Sequence, residues 1–223
     1  MRYFFCGDLL GFSKIVSNLD EEGLKNTISN WVSLVEDTAK KYGISFQLIS
    51  DTVFAYIKKK DDLMNLVSFA RDLLEKGCKQ SFLLRGAIVP GKFNWNSKLI
   101  YGEAVIDAHI LEQKQQWLGT ILFDFNLNSS DYMDLDLICY PVPMKNSEIK
   151  LFPAINWNIP PHDDLIVKFM SGGLTQKGEP INWDLGEKIS NTLLFKQYVE
   201  ELKKLSGSPE KFIGLFPISR LLN

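Results

Sequence analysis

The feature that most narrows the fold is a pair of β-type stretches separated by one long segment of helical period. The first, Arg2 to Ser13, opens as an aromatic run (Tyr3, Phe4, Phe5, Cys6) that predicts a strand over 2–8 and ends in Asp8. A small glycine-containing loop, Leu9 to Ser13, follows. From Ser13 to about Tyr42 apolar residues recur at helical spacing: Ile15, Val16, Leu19, Leu24, Ile28, Trp31, Val32, Leu34 and Val35. Gly23 is placed to split this into a short and a longer helix, and Gly43 to close the longer one. The second stretch, Ser45 to Ile57, reads as two strands (44–50 and 52–58) joined by the tight Ser50-Asp51-Thr52 turn. With the strands side by side, Asp8 and Asp51 reach the same sheet edge. Free amides of the loop and helix start can receive a polyphosphate there, and two carboxylates can hold hard divalent cations.

The rest of the chain continues the alternation. Helix is predicted over about 62–77, with Leu63, Leu66, Val67, Ala70, Leu73 and Leu74 on one face, then strand over 81–89. A hairpin arm, Lys92 to Tyr101, leads through Gly102 to a helix ending near Trp117, and a short strand follows over 120–123. The order predicts an α+β fold: a ferredoxin-like βαββαβ core with helices packed on one face of a mainly antiparallel sheet. This assigns residues 1–124 to the core and 125–223 to a portion that completes or decorates the same domain. Asn, Asp and Ser clusters with Pro141 and Pro143 predict an irregular excursion over 126–150, and one or two strands are expected in 151–170. A helix over about 183–205 carries the apolar stripe Leu185, Ile189, Leu193, Leu194, Tyr198, Val199 and Leu202, a core or partner-facing surface.

Composition removes several functional classes. The chain of 223 residues has a formal net charge of −2 and no basic block, so nucleic-acid binding is not expected. No apolar run is long enough to span a bilayer, and the amino terminus has no signal-peptide core, which together predict a cytoplasmic protein. Cys6, Cys78 and Cys139 are far apart, without metal-type spacing, and read as reduced, buried thiols. His109 and His162 are isolated, so no His-based metal site is expected.

Phe5-Cys-Gly-Asp8-Leu-Leu-Gly11-Phe12-Ser13 resembles the opening motif of class III nucleotidyl cyclases: an aromatic strand, then Asp, two variable residues, Gly, Phe and Ser or Thr. Ser50-Asp51 resembles their second motif, where a Gly-Asp pair is usual. Leu84-Arg85-Gly86-Ala87-Ile88, the arm, and Tyr101-Gly102 leading to Ala108, Leu111 and Glu112 resemble the third block. Together the three pieces cover roughly residues 2–124, and their order on the expected elements is far more specific than any one alone. The resemblance implies a homodimer with active sites at the subunit interface, acting on a nucleoside triphosphate. Asp8 and Asp51, with the backbone of Leu9, would hold two divalent cations (Mg²⁺ or Mn²⁺). The backbone of the loop through Leu10, Gly11, Phe12 and Ser13 would hold the β- and γ-phosphates. The products would be a 3′,5′-cyclic nucleotide and pyrophosphate.

Three departures qualify that resemblance. The positions that select a purine base in the family fall at Gln47 and Leu99, which match neither the adenine nor the guanine pair. A neutral amide offers donor and acceptor together, and this absence of both purine determinants resembles the pyrimidine cyclases of antiphage Pycsar systems. Those make cyclic UMP or cyclic CMP for a downstream cyclic-nucleotide-binding effector. The family's helix carries Asn and Arg, which here fall at Ile106 and Ile110; Arg85, Lys14, Lys92 and Lys168 are the alternative cations. The tail offers no clear match to the family's phosphate-binding lysine. Asp8 as a helix N-cap and Asp51 as a turn residue remain open, as does Trp95 in dimer packing. Three functions therefore stand: a metal-dependent cyclase, a degenerate cyclase-like module that binds nucleotide or only dimerises and regulates a partner, and a scaffold whose working surface is the helix at 183–205.

Overall fold

The computed structural model describes residues 1–96, 98–161, 163–165 and 183–206. Strand β1 (Tyr3–Leu9) lies inside a seven-stranded sheet, between β3 (Thr52–Ile57) and β4 (Leu84–Pro90), antiparallel to both. The hairpin partner β2 (Ser45–Ile49) forms one edge. Beyond β4 come β7 (Gly119–Leu122), the single parallel neighbour, then β9 (Ile149–Ile155) and the opposite edge β8 (Leu137–Pro143). A separate two-stranded arm pairs β5 (Asn94–Trp95) with β6 (Ile100–Tyr101). The βαββαβ order and the mainly antiparallel sheet agree with the sequence reading.

Strand β1 is apolar on both faces because both are covered. Tyr3, Phe5 and Leu9 join the main core, where the Phe5 ring meets Phe69 of α3 (Leu63–Lys79) edge-on at 5.9 Å. The main core is closed by α3 and by α2 (Glu21–Tyr42), which buries Trp31, Leu34, Val35 and Ala39. Phe4 and Cys6 point the other way and pack with Val89, Phe93, Ala104 and Ala108 in a second, smaller core. The two alanines belong to α4 (Glu103–Lys114) and stand one turn apart, so that helix approaches β1 and β4 closely. Helices therefore cover both faces, not one as expected. Where β4 alternates Leu84 and Ile88 with Ala87 and Val89, each face carries apolar residues that need cover.

Other differences have local causes. The first helical segment breaks at Leu19-Asp20, not at Gly23, giving α1 (Phe12–Asn18) and α2. Asp20 caps α2 by accepting from the Gly23 amide at 2.9 Å, with Glu21 and Glu22 in the first turn. The excursion expected over 126–150 is regular. Its Asn and Asp residues form the capping box of α5 (Ser129–Asp134), between Asn128 and Asp131. Pro141 and Pro143 sit in β8, an edge strand, where a missing amide donor is tolerated. Helix α4 stops at Lys114, because Gln115 turns extended and bridges to Met144. The last described helix, α6 (Trp183–Ser206), packs inward. Phe195 meets Trp117 at 4.9 Å and Tyr140 at 4.7 Å, and Thr192 accepts from the Leu118 amide. Most of its apolar stripe is core, with Leu194 alone of the named residues exposed, which removes the main support for a scaffold whose working surface is this helix. Cys6, Cys78 and Cys139 are all buried, as the sequence reading expected.

Candidate active site

Side-chain alternation along β1 places Asp8 on the α4 side of the sheet with Cys6, opposite Arg85 in the β4 ladder. Asp8 is half-buried, and its Oδ1 accepts a hydrogen bond from the Thr52 hydroxyl at 2.8 Å. Thr52 and Asp51 follow from the two-residue turn that closes β2 onto β3, with Ser50 at φ 59. That left-handed backbone accounts for the usual glycine at this position of the motif that Ser50-Asp51 resembles. Burial, and next the negative charge of Asp51, push the Asp8 carboxyl above the usual aspartate range. The Thr52 hydrogen bond and the charges of Arg85 and His109 pull it back. Asp8 and Asp51 thus share one electrostatic neighbourhood. Gly7, just before Asp8, has the Phe5 ring folded against it, where an added Cβ would sit 2.5 Å from the ring.

The loop after Asp8 is anchored from below. The side chains of Leu9 and Leu10 are buried, and the Leu10 amide donates to the Leu83 carbonyl at 2.7 Å. Leu10 is therefore not an open amide, although it was expected to hold phosphate. Gly11, at φ 80 and ψ 15, starts α1, and its carbonyl accepts from Lys14 and Ile15. The amides of Gly11, Phe12 and Ser13 have no backbone acceptor among the described residues. An all-oxygen pair of carboxylates, mutually repelling and with no ion pair of its own among the described residues, suits hard divalent cations.

Gln47 faces Phe54 across the β2–β3 ladder, and Phe54 faces Cys6, so the amide lies on the same side of the sheet as Asp8. Leu99 stands apart, 55% exposed in the turn of the arm, with its amide bonded to Asn96 Oδ1. Trp95 folds back from the arm over the seven-stranded sheet, 4.7 Å from Tyr56 and 6.1 Å from Phe4. Of the cations considered, Arg85 is committed: Nε and a terminal nitrogen meet Glu112 Oε1, and Nη1 donates to the Gln115 carbonyl at 2.7 Å. Burial pushes the Glu112 carboxyl up to about 7 against the pull of that guanidinium. Lys14 is half-buried and Lys92 exposed, while Lys168 lies outside the described residues. Ile106 and Ile110 project from the outer face of α4, 59% and 42% exposed.

The sequence reading missed His109. It is exposed on α4, its charge acts on Asp8, and Cys6, His109 and Glu112 each offer a ligand atom within 4.8 Å of the others. For His109 the isolation and the lack of metal-type spacing hold in sequence only, because the register of β1 under α4 joins distant positions, while His162 lies outside the described residues. The available signal was His109-x-x-Glu112, two ligand types on one helical face. Elsewhere, a crevice of about 290 Å³ lined by Arg71, Glu75, Asp136 and Lys196 shares no residue with this site. Its charged groups are largely taken up by local contacts, such as Arg71 to the Asn156 carbonyl and Glu75 to the Asn158 amide.

No family model matches the sequence, and no curated protein does. Solved structures do match. The catalytic core of a rhodopsin-guanylyl cyclase with converted specificity, in complex with ATPαS, aligns at 15% identity over 70% of this chain and 95% of that one, with a TM-score of 0.53. A non-canonical dimeric guanylyl cyclase domain from the aquatic fungus Blastocladiella emersonii gives 16% identity, 70% and 96% coverage, and a TM-score of 0.53. The guanylyl cyclase Cya2 gives 13%, 71%, 93% and 0.50. The chain has the fold of the adenylyl and guanylyl cyclase catalytic domains. Among the described residues no helix is long and apolar enough to cross a membrane.

Proposed function

We propose that the protein is a metal-dependent nucleotidyl cyclase, converting a nucleoside triphosphate to a 3′,5′-cyclic nucleotide and pyrophosphate as a homodimer. The observation that carries this reading is the meeting of Asp8 and Asp51 at one sheet edge, beside the open amides of Gly11, Phe12 and Ser13. Asp8, Asp51 and the Leu9 carbonyl would hold two divalent cations, Mg²⁺ or Mn²⁺. Bound there, such ions neutralise phosphate charge and lower the pKa of an attacking hydroxyl. The chain's own part is positioning. Thr52 fixes the Asp8 carboxylate, the loop amides orient the β- and γ-phosphates, and the buried Leu9 and Leu10 side chains hold the loop rigid.

The favoured substrate is UTP or CTP, supported by the neutral Gln47 amide on the site face and the exposed, apolar Leu99. An antiphage signal read by a cyclic-nucleotide-binding effector is the accompanying biological reading. The second reading, a catalytically degenerate module that regulates a partner, draws on Ile106 and Ile110, which occupy exposed α4 positions where the resemblance implies Asn and Arg. Incubation of the purified protein with each ribonucleoside triphosphate and Mn²⁺, with products analysed by mass spectrometry, separates the two. Cyclic UMP or CMP is expected, and Asp8→Ala or Asp51→Ala abolishes it while the protein stays folded. Absence of any cyclic product from all four triphosphates would remove the enzymatic reading.

A further inference from the structure

We infer that Cys6, His109 and Glu112 form a second cation site, selective for a soft divalent transition metal such as Zn²⁺. It is distinct from the oxygen-lined pair Asp8 and Asp51 and does not rest on the cyclase reading. The three side chains supply one sulfur, one imidazole nitrogen and one carboxylate oxygen, the donor set zinc prefers and Mg²⁺ or Mn²⁺ does not. Their ligand atoms lie within 4.8 Å of one another. The edges of a zinc tetrahedron are about 3.5 Å, so a small inward movement closes the site.

Each ligand is free to make it. Both Arg85 contacts with Glu112 fall on Oε1, leaving Oε2 without a hydrogen bond among the described residues. His109 is exposed and has no hydrogen bond among them, so its ring can turn toward Cys6 and leave a position open to water. Cys6 is fixed in the sheet by β1, and Glu112 is fixed on α4 by Arg85, which gives two rigid ligands and one adjustable one. Binding a divalent ion there releases the Cys6 thiol proton to solvent.

The test uses the full chain, stripped of metal and without nucleotide, titrated with Co²⁺ in excess Mg²⁺. One equivalent of Co²⁺ is expected to produce a thiolate-to-cobalt charge-transfer absorption that Zn²⁺ abolishes. Cys6→Ser removes the absorption, and His109→Gln, at an exposed position that leaves the fold intact, weakens the affinity at least tenfold. Asp51→Asn leaves the absorption unchanged. The inference is overturned by no thiolate absorption in the wild type, by unaltered affinity in His109→Gln, or by loss of the signal in Asp51→Asn alone.

Discussion

The buried pair between Arg85 and Glu112 permits a test in which the two single substitutions behave differently. Arg85 is 5% and Glu112 1% exposed, with Nε donating to Oε1 at 2.7 Å. Glu112→Gln leaves a guanidinium that cannot discharge, since arginine stays protonated at any accessible pH. At pH 8, where Glu112 is ionised, breaking such a pair costs roughly 3–5 kcal/mol; the lower figure applies here because the glutamine carbonyl and Gln115 still accept. For a chain of this size that is a fall in Tm of about 6–12 °C. Arg85→Met instead leaves a carboxyl that can take up a proton. At pH 6 its cost is about 1–2 kcal/mol, mostly lost hydrogen bonds. The Glu112 carboxyl already sits at about 7 with Arg85 present, and without the guanidinium it rises further. A carboxyl raised in the folded state holds a proton the unfolded chain has lost, so stability declines as pH rises toward the folded value. Wild type and Arg85→Met share that decline below pH 7. Above it only the variant continues, by up to about 1.4 kcal/mol per pH unit. Urea denaturation at pH 6, 7 and 8 measures all of this, and Arg85→Met/Glu112→Leu should recover most of the loss. An Arg85→Met cost that is flat from pH 6 to 8, or a Glu112→Gln cost as large at pH 6 as at pH 8, would refute the reasoning.

Two further substitutions probe the site directly. Asp51→Asn removes the charge that helps push Asp8 up, so in metal-free buffer at neutral pH the variant should be more stable by about 1 kcal/mol or less. It should also lose the rise in Tm expected for the wild type with Mn²⁺; a lower metal-free Tm would show that the two carboxylates do not repel. Ser50→Gly relieves the left-handed backbone at φ 59 and should stabilise by about 0.5–1 kcal/mol in urea denaturation, whereas a loss would mean that the serine side chain supports the turn.

The elements that position the carboxylates were legible because each has a strong local signal. The run from Tyr3 to Cys6 is a two-sided buried strand, the Ser50-Asp51 turn allows only a hairpin, and the Gly43 cap ends α2 at φ 64. What was not legible depends on tertiary partners. Pro141 and Pro143 look like loop residues unless β8 is known to be an edge, and Asn128 looks like a turn until Asp131 completes its cap. The same holds at the site. Asp8 and Asp51 follow from pairing β1 with β3. The approach of His109 and Glu112 to Cys6 depends on α4 crossing the second face, which only Ala104 and Ala108 foreshadow. Leu10 was misjudged for a related reason, since its amide is taken by Leu83, just before β4 and distant in sequence.

Ile106 and Ile110 offer a test of how the proposed dimer forms. They stand one turn apart on the outer face of α4, 59% and 42% exposed, beside a polar surface that includes Glu103, Gln113 and Lys114. Two large apolar groups held so far into water are what a second copy of the chain would cover. Their exposed fractions together amount to about one whole isoleucine side chain, worth roughly 1.5–3 kcal/mol when buried. A two-fold interface uses the same patch on both protomers, so the total doubles to about 3–6 kcal/mol. Ile106→Asn/Ile110→Arg, which supplies the residue types implied by the cyclase resemblance, should therefore weaken dimerisation by roughly 10²–10⁴-fold. The fold should stay intact, because neither side chain belongs to the core. Sedimentation equilibrium would then show monomer at micromolar concentration, and cyclic-nucleotide formation would fall with it, because the proposed active site forms between protomers. A variant that remains as dimeric as the wild type would mean that this face of α4 is not the interface, and the proposed homodimer would have to use another surface.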